Sequence, residues 1–454
     1  MNDFLFKEFP EVSSKLWKQK IQVDLKGADY NETLIWKTAE GIDVKPFYHQ
    51  DEQKEFHKIA MPDSWNIAQK VYVNNSEKAN KKALDIISRG GESIIFQIPE
   101  ESVDIKKLLS EIELQNIHIH LDMGFLSISF IEKLKSIVGN NDKIYLHIDI
   151  IGNLARSGNW YHNKEKDHQL FEEIIKLSDF TTTNILIDTT LYQNAGASIT
   201  QQLAYALAHA HEYLNHFSQK GVLPKFGFRI AVGANYFFEI AKIRALKLLW
   251  NTISEEYGIA EACHIIAVPS KRNKTLYDYN VNMLRTTTEI MSAVLGGANT
   301  VCNMPYDVLY HKDNEFGERI SRNQLLILKK ESYFDKVINP ADGSYFIENL
   351  TEQLAEKALD VFKNIEAGGG FLSQLKNGII QRKINESADA EQKEFDNGEK
   401  ILLGTNKHPN PNDKMKNELE LYPFVKTDQR KTIIIPIIEK RLAEKLEKAR
   451  LEDE

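Results

Sequence analysis

Cysteine is nearly missing from this sequence: two residues in 454, Cys263 and Cys302, each inside a strand-like apolar run. That excludes a disulfide framework, leaves the thiols as small hydrophobes and points to a reducing compartment. Long apolar runs are missing too. No segment reaches the roughly 20 apolar residues needed to span a bilayer, and the N-terminal stretch Met1 to Pro10 carries acids where a secretory leader has a basic start. The expectation is a soluble, cytoplasmic chain with no membrane partner. Basic charge is in deficit, 57 Lys and Arg against 65 Asp and Glu for a net −8. The basic stripe that nucleic-acid backbones require is therefore excluded.

What remains is an ordinary globular composition, 42% hydrophobic and 27% charged, in a chain long enough to bury a large core. Between Trp65 and Val337 short β-rich runs alternate with runs of helical period, the signature of successive βαβ units. The strand candidates are Ala68 to Val73, Ser93 to Pro99, Ile117 to Met123, Ile144 to Ile150, Asn184 to Thr190, Phe226 to Gly233, His264 to Val268 and Thr300 to Met304. Helical segments follow, among them Glu77 to Ser88, Ile199 to Gln219, Tyr236 to Glu256 and Arg319 to Tyr333. Eight units in about 270 residues fit an α/β fold of the closed (β/α)8 (TIM) barrel type. An open doubly wound sheet more often stops at five or six strands.

Residues 1–62 are expected to form an N-terminal arm with too little periodic apolar content for its own core, packed on its barrel or on another subunit. Residues 63–404 form the barrel unit, with helices at Leu350 to Glu366, closed by Gly368 to Gly370, and at Glu391 to Glu399. Residues 405–454 read as a Pro- and Asn-rich linker, Lys407 to Asp413, and a short amphipathic helix, Ile437 to Leu446, that frays into a charged tail.

In a barrel the chemistry sits at the C-terminal ends of the strands. His118, His120 and Asp122 alternate with apolar residues, as do His147 and Asp149, and the fifth strand ends in Asp188. Asp122, Asp149 and Asp188 at three successive strand mouths offer a divalent-cation site. Against it, Thr189, Thr190 and Gly233 stand where further ligands are needed, and Lys271 is the one base available to a magnesium-dependent proton abstraction. Pairing of these polar residues with one another is the competing reading. His209, His211 and His216 lack the i, i+4 spacing of a helical zinc site, because Asn215 takes that place.

From Phe226 onward the chain resembles the methylmalonyl-CoA mutase family. The matching segments are Gly233 to Ala245 with Leu248-Leu249-Trp250, Leu284 to Thr287, Ala293 to Gly297, Arg319 to Asn323, Asn339 to Glu348 and Gly404 to Lys407. The arm segments Asp24 to Tyr30 and Gly41 to Pro46 are similar as well. The resemblance implies a (β/α)8 barrel of an isomerase that interconverts methylmalonyl-CoA and succinyl-CoA with adenosylcobalamin held by a separate domain.

Three departures accompany it. The Asp-x-His-x-x-Gly run whose histidine ligates cobalt is absent, so the chain is expected to lack the cobalamin domain and to bind no cofactor or metal itself. Leu191 stands in the run Thr189 to Ala197 where catalytic relatives have a histidine facing the substrate; leucine can neither donate a hydrogen bond nor shuttle a proton. Ser270 to Thr275 replaces the family's Gln-Thr-Ser-Gly-Trp stretch. Scaffold kept and chemistry lost implies a non-catalytic small subunit, partnered by a homologous large subunit that carries adenosylcobalamin. Glu239, Lys242, Arg244, Arg285 and Asn323 are then scaffold contacts. Trp17, Tyr30 and Trp36 are candidate interface anchors, being aromatics of the kind enriched where subunits meet. The alternatives are a catalytic subunit using a separate cobalamin-binding chain, and a metal-dependent barrel enzyme using Asp122, Asp149 and Asp188.

Overall fold

The computed structural model describes residues 8–53, 58–222, 224–259, 262–426 and 429–454. Eight parallel strands form one sheet: β1 (Asn66–Tyr72), β2 (Ser93–Ile98), β3 (His118–Met123), β4 (Ile144–His147), β5 (Ile185–Asp188), β6 (Phe226–Val232), β7 (His264–Pro269) and β8 (Thr300–Cys302). Their order is β4-β3-β2-β1-β8-β7-β6-β5. The two ends meet: Leu146 N–H donates to Thr183 O at 2.9 Å and Thr182 N–H to Ile144 O at 2.8 Å. The sheet is thus closed into a (β/α)8 barrel, with strands at the positions the sequence pattern predicts and shifts of a few residues at their ends.

The two-residue period of the strands divides their side chains. One parity, including Ile67, Val71, Ile94, Phe96, Ile119, Leu121, Phe228 and Ile265, faces the helices and forms the main core. The other, including Ala68, Ile95, Leu186, Ile266 and Cys302, meets on the barrel axis in a separate small cluster. Outside, helix Tyr345–Ala367 packs across Ile199–Ser218 and Tyr236–Glu256. A buried charge pair, Arg244 with Glu348 at 2.5 Å, fastens two of these helices, and Lys242 pairs with Glu239 at 2.5 Å within one of them. Arg285 donates to Thr275 Oγ1 and to Leu403 O. Asn323 differs from the scaffold role expected of it, since its side chain is exposed on helix Glu315–Leu326.

The arm lies largely on its own barrel. Glu40 accepts the leading N–H groups of helix Ile199–Ser218, Ile199 at 2.7 Å and Thr200 at 2.8 Å, a carboxylate at the positive end of the helix. Ile42 is fully buried, and Trp36 packs edge-on against Phe238. Helix Ser14–Asp24, in contrast, buries none of its residues.

The tail departs from expectation. Residues 431–441 form neither helix nor strand, and after a turn at 442–443 the helix runs from Glu444 to Asp453. The apolar spacing of Ile437 to Leu446 predicts a helix, but the N–H groups of Ile437, Lys440 and Leu442 donate to Ala155 O, Asn194 O and Arg272 O. A backbone whose N–H groups are given to three separate βα connections cannot also make a helical ladder. Nor does the end fray: Glu447 is fully buried, paired with Arg441 at 2.5 Å and accepting Leu276 N–H at 2.6 Å.

Candidate functional site

The inward residues build up in levels along the barrel axis. At the base, Tyr145 hydroxyl lies 2.9 Å from His118 Nδ1, and its ring is 4.6 Å from that of His264, which bonds Thr300 Oγ1 at 3.0 Å. Above them His120 stacks on Tyr145 at 4.3 Å and reaches His147 with Nδ1 at 3.0 Å from Nε2. At the C-terminal mouth Arg229, from the middle of β6, donates to Asp122 at 3.0 Å, to Asp188 at 3.2 Å and to His147 Nδ1 at 2.8 Å. Arg156 also donates to Asp188, at 3.2 Å.

A guanidinium only donates, so these contacts fix the tautomers. His147 accepts at Nδ1, therefore carries its proton on Nε2 and gives it to His120 Nδ1. His120 then carries a proton on Nε2, a buried atom with no partner among the described residues. Burial, followed by the charge of Arg229, keeps the His147 imidazole well below its ordinary pKa. Burial, followed by His147, does the same to His120, and burial takes His264 down to about 3. Burial alone would raise the Asp188 carboxyl, but Arg229, Arg156 and Thr190 outweigh it and hold the group below its usual range. Desolvation by the surrounding mouth and then Arg229 lower the Lys70 ammonium, although its side chain reaches solvent.

The metal reading fails on geometry. Asp122 and Asp188 converge, but on Arg229, and Asp149 is elsewhere. It caps helix Ile150–Ser157 through Gly152 N–H at 2.7 Å and accepts from Tyr213 hydroxyl at 2.7 Å and His209 Nε2 at 2.9 Å. Among the described residues no group of three or more His, Cys, Asp or Glu is placed to hold a metal. His211 and His216 have separate acidic partners, Glu366 and Glu172. Both thiols are buried, which pushes Cys263 up to about 12 and raises Cys302.

Leu191 is 2% exposed within the main core, on helix Thr190–Ala195. The 270–275 loop is likewise committed to the fold: Ser270 donates to Gln193 at 2.8 Å, Lys271 N–H to Asn194 at 2.9 Å, and Lys274 pairs with Glu289 at 2.8 Å inside the protein. At the opposite end of the barrel lies a cavity of about 360 Å³ lined by Met61, Lys225, Trp250 and Cys263 among others, with Tyr145 and His264 on the axis side. Sequence reasoning passed over Arg229, Arg156 and Lys70. Arg229 carries a signal, since a lone arginine in the centre of an apolar strand has to find buried acids.

At the mouth, residues 431–443 are hydrogen-bonded to the connections that follow β4, β5 and β7. No helix among the described residues is long and apolar enough to cross a membrane.

Comparison with known proteins gives a family model described as methylmalonyl-CoA mutase, matching residues 100–451. The methylmalonyl-CoA mutase small subunit of Porphyromonas gingivalis is 34% identical over 441 residues, covering 89% of this chain and 71% of that protein. The methylmalonyl-CoA mutase of Rhizobium meliloti is 29% identical, with 88% and 64% covered. The small subunit of Propionibacterium freudenreichii subsp. shermanii is 26% identical, with 85% and 66% covered. The chain thus spans about two thirds of the length of these relatives, and it belongs to the methylmalonyl-CoA mutase family.

Proposed function

We propose that this chain is the non-catalytic small subunit of a heterodimeric, cytoplasmic mutase that interconverts methylmalonyl-CoA and succinyl-CoA. A homologous large subunit holds adenosylcobalamin and the substrate, and the present chain stabilises it. The observation that carries this reading is the barrel axis, filled from base to mouth by the chain's own His118, Tyr145, His120, His147 and Arg229. Leu191, buried in the outer core, supports it.

The arm supplies the docking surface in this reading. Trp17 is 48% and Trp36 53% exposed, and both stand on an arm whose first helix buries nothing. Tyr30 is 5% exposed, with Lys18 over its ring at 4.6 Å, so it serves the arm's own packing and the interface set narrows to Trp17 and Trp36.

The catalytic alternative is tested by Leu191→His. The isolated chain, wild type or variant, is expected to give no succinyl-CoA from methylmalonyl-CoA and adenosylcobalamin, with or without a cobalamin-binding chain. Turnover restored by this one substitution would overturn the non-catalytic reading.

A further inference from the structure

The cavity of about 360 Å³ at the N-terminal end of the barrel is built where the chain leads into β5, β6, β7 and β8. Lys247 and Trp250 of helix Tyr236–Glu256 close one side, and residues 60–62 of the arm close another. Ala60 and Ala262 are exposed at its rim, so it opens to solvent. Its volume falls within the range of small-molecule sites, which begins at about 300 Å³.

Its charge is one-sided. The described lining residues include Lys225 and Lys247 but no Asp or Glu, and His264 is neutral because burial takes it down to about 3. Lys225 donates its ammonium to two carbonyls, Asp179 O and Thr181 O. Lys247 is 5% exposed, and its ammonium has one partner among the described residues, Ala60 O at 3.0 Å. The three other buried lysines each hold a carboxylate: Lys242 has Glu239, Lys274 has Glu289 and Lys329 has Glu92. A buried charge is ordinarily paired, and an ammonium has three hydrogens to donate. Lys247 therefore lacks the counter-ion that its equivalents have, and burial accordingly lowers its pKa. Two further residues of the lining carry buried donors with no partner among the described residues, Trp250 Nε1 and Thr183 Oγ1. The lining is thus rich in donors and positive charge and short of a negative acceptor, while Met61, Phe226 and Ile259 make part of its wall apolar.

We propose that this cavity binds a small organic carboxylate, its charge facing the Lys247 ammonium and its apolar part against Met61, Phe226 and Ile259. A carboxylate supplies the missing counter-ion through charge-assisted hydrogen bonds, and a short hydrocarbon chain suits the rest of the wall. The site is separate from the charged mouth at the other end of the axis, and the proposal holds whether or not the chain is a small subunit.

Equilibrium dialysis of radiolabelled hexanoate against the full chain tests it. A Kd of about 1 mM or tighter is expected. Two competitors separate the charge from the chain: hexan-1-ol, of the same length without the carboxylate, and inorganic phosphate, an anion without the hydrocarbon. Each is expected to compete at least about tenfold more weakly than unlabelled hexanoate. Lys247→Met keeps the stem and removes the charge, and is expected to weaken hexanoate at least about tenfold. No retention of hexanoate by the wild-type chain would overturn the proposal, as would unchanged affinity in folded Lys247→Met. Competition by hexan-1-ol as strong as by hexanoate would show a merely apolar pocket, and competition by phosphate as strong would show a site for inorganic anions; either overturns the carboxylate assignment. Should Lys247→Met not fold, the two competitors on the wild-type chain decide.

Discussion

Arg229→Leu is expected to destabilise the protein by about 3–5 kcal/mol in urea unfolding, the cost of breaking a buried ion pair from one side. The guanidinium is 14% exposed and bonds two carboxylates at once, Asp122 and Asp188. Removing it takes the guanidinium from Asp122 and leaves Asp188 with Thr190 and a half-exposed Arg156 as partners. Arg156→Leu is the control, expected to cost under about 1 kcal/mol because an ion pair in contact with solvent is screened. Adding Asp122→Asn and Asp188→Asn to Arg229→Leu should recover most of the loss, since acids without a partner are what makes the single change expensive. A loss under about 1 kcal/mol for Arg229→Leu would mean that water, not the guanidinium, already satisfies the two acids.

The second large effect is on pH. His120, His147 and His264 stay neutral in the folded barrel, because burial holds all three below the ordinary imidazole value of about 6.5. In the unfolded chain they protonate normally. Below pH 6.5 the unfolded state therefore binds more protons than the folded one, and stability must fall as pH falls. Each histidine contributes about 1 kcal/mol of loss between pH 6.5 and 5.5, about 3 kcal/mol for the three. Asp188 adds to the same trend only nearer pH 4: its folded pKa is depressed, so its contribution is present above its unfolded value and is lost as pH drops through the folded one. Urea midpoints at the two pH values measure the histidine effect, and His264→Gln should remove about a third of it. A flat profile over that unit would contradict a neutral set of axis histidines.

The barrel was legible because β/α alternation is written in residue periods, and eight strand signals needed no tertiary information. The site was less so, for a reason visible at Asp149. Counting by twos from His147 puts Asp149 on the inner face, but β4 ends at His147, and Asp149 is already the cap of the next helix. Parity holds only while the chain remains a strand. Asp122 and Asp188 are within strands, and for them the counting holds. Arg229 was missed because its meaning depends on acids 41 and 107 residues away, which no local window contains. The tail differs for a related reason: apolar spacing favours a helix, and hydrogen bonds to three connections distant in sequence override it.

The pairing with a large subunit is tested by recovering this chain gently from its native cell through a tag and weighing what accompanies it by mass spectrometry. A larger homologue carrying Asp-x-His-x-x-Gly and cobalamin is expected in one-to-one amount, with a clear loss of that partner from a Trp17→Ala, Trp36→Ala double variant. Recovery of the chain alone, or with only a free-standing cobalamin-binding protein, would contradict it.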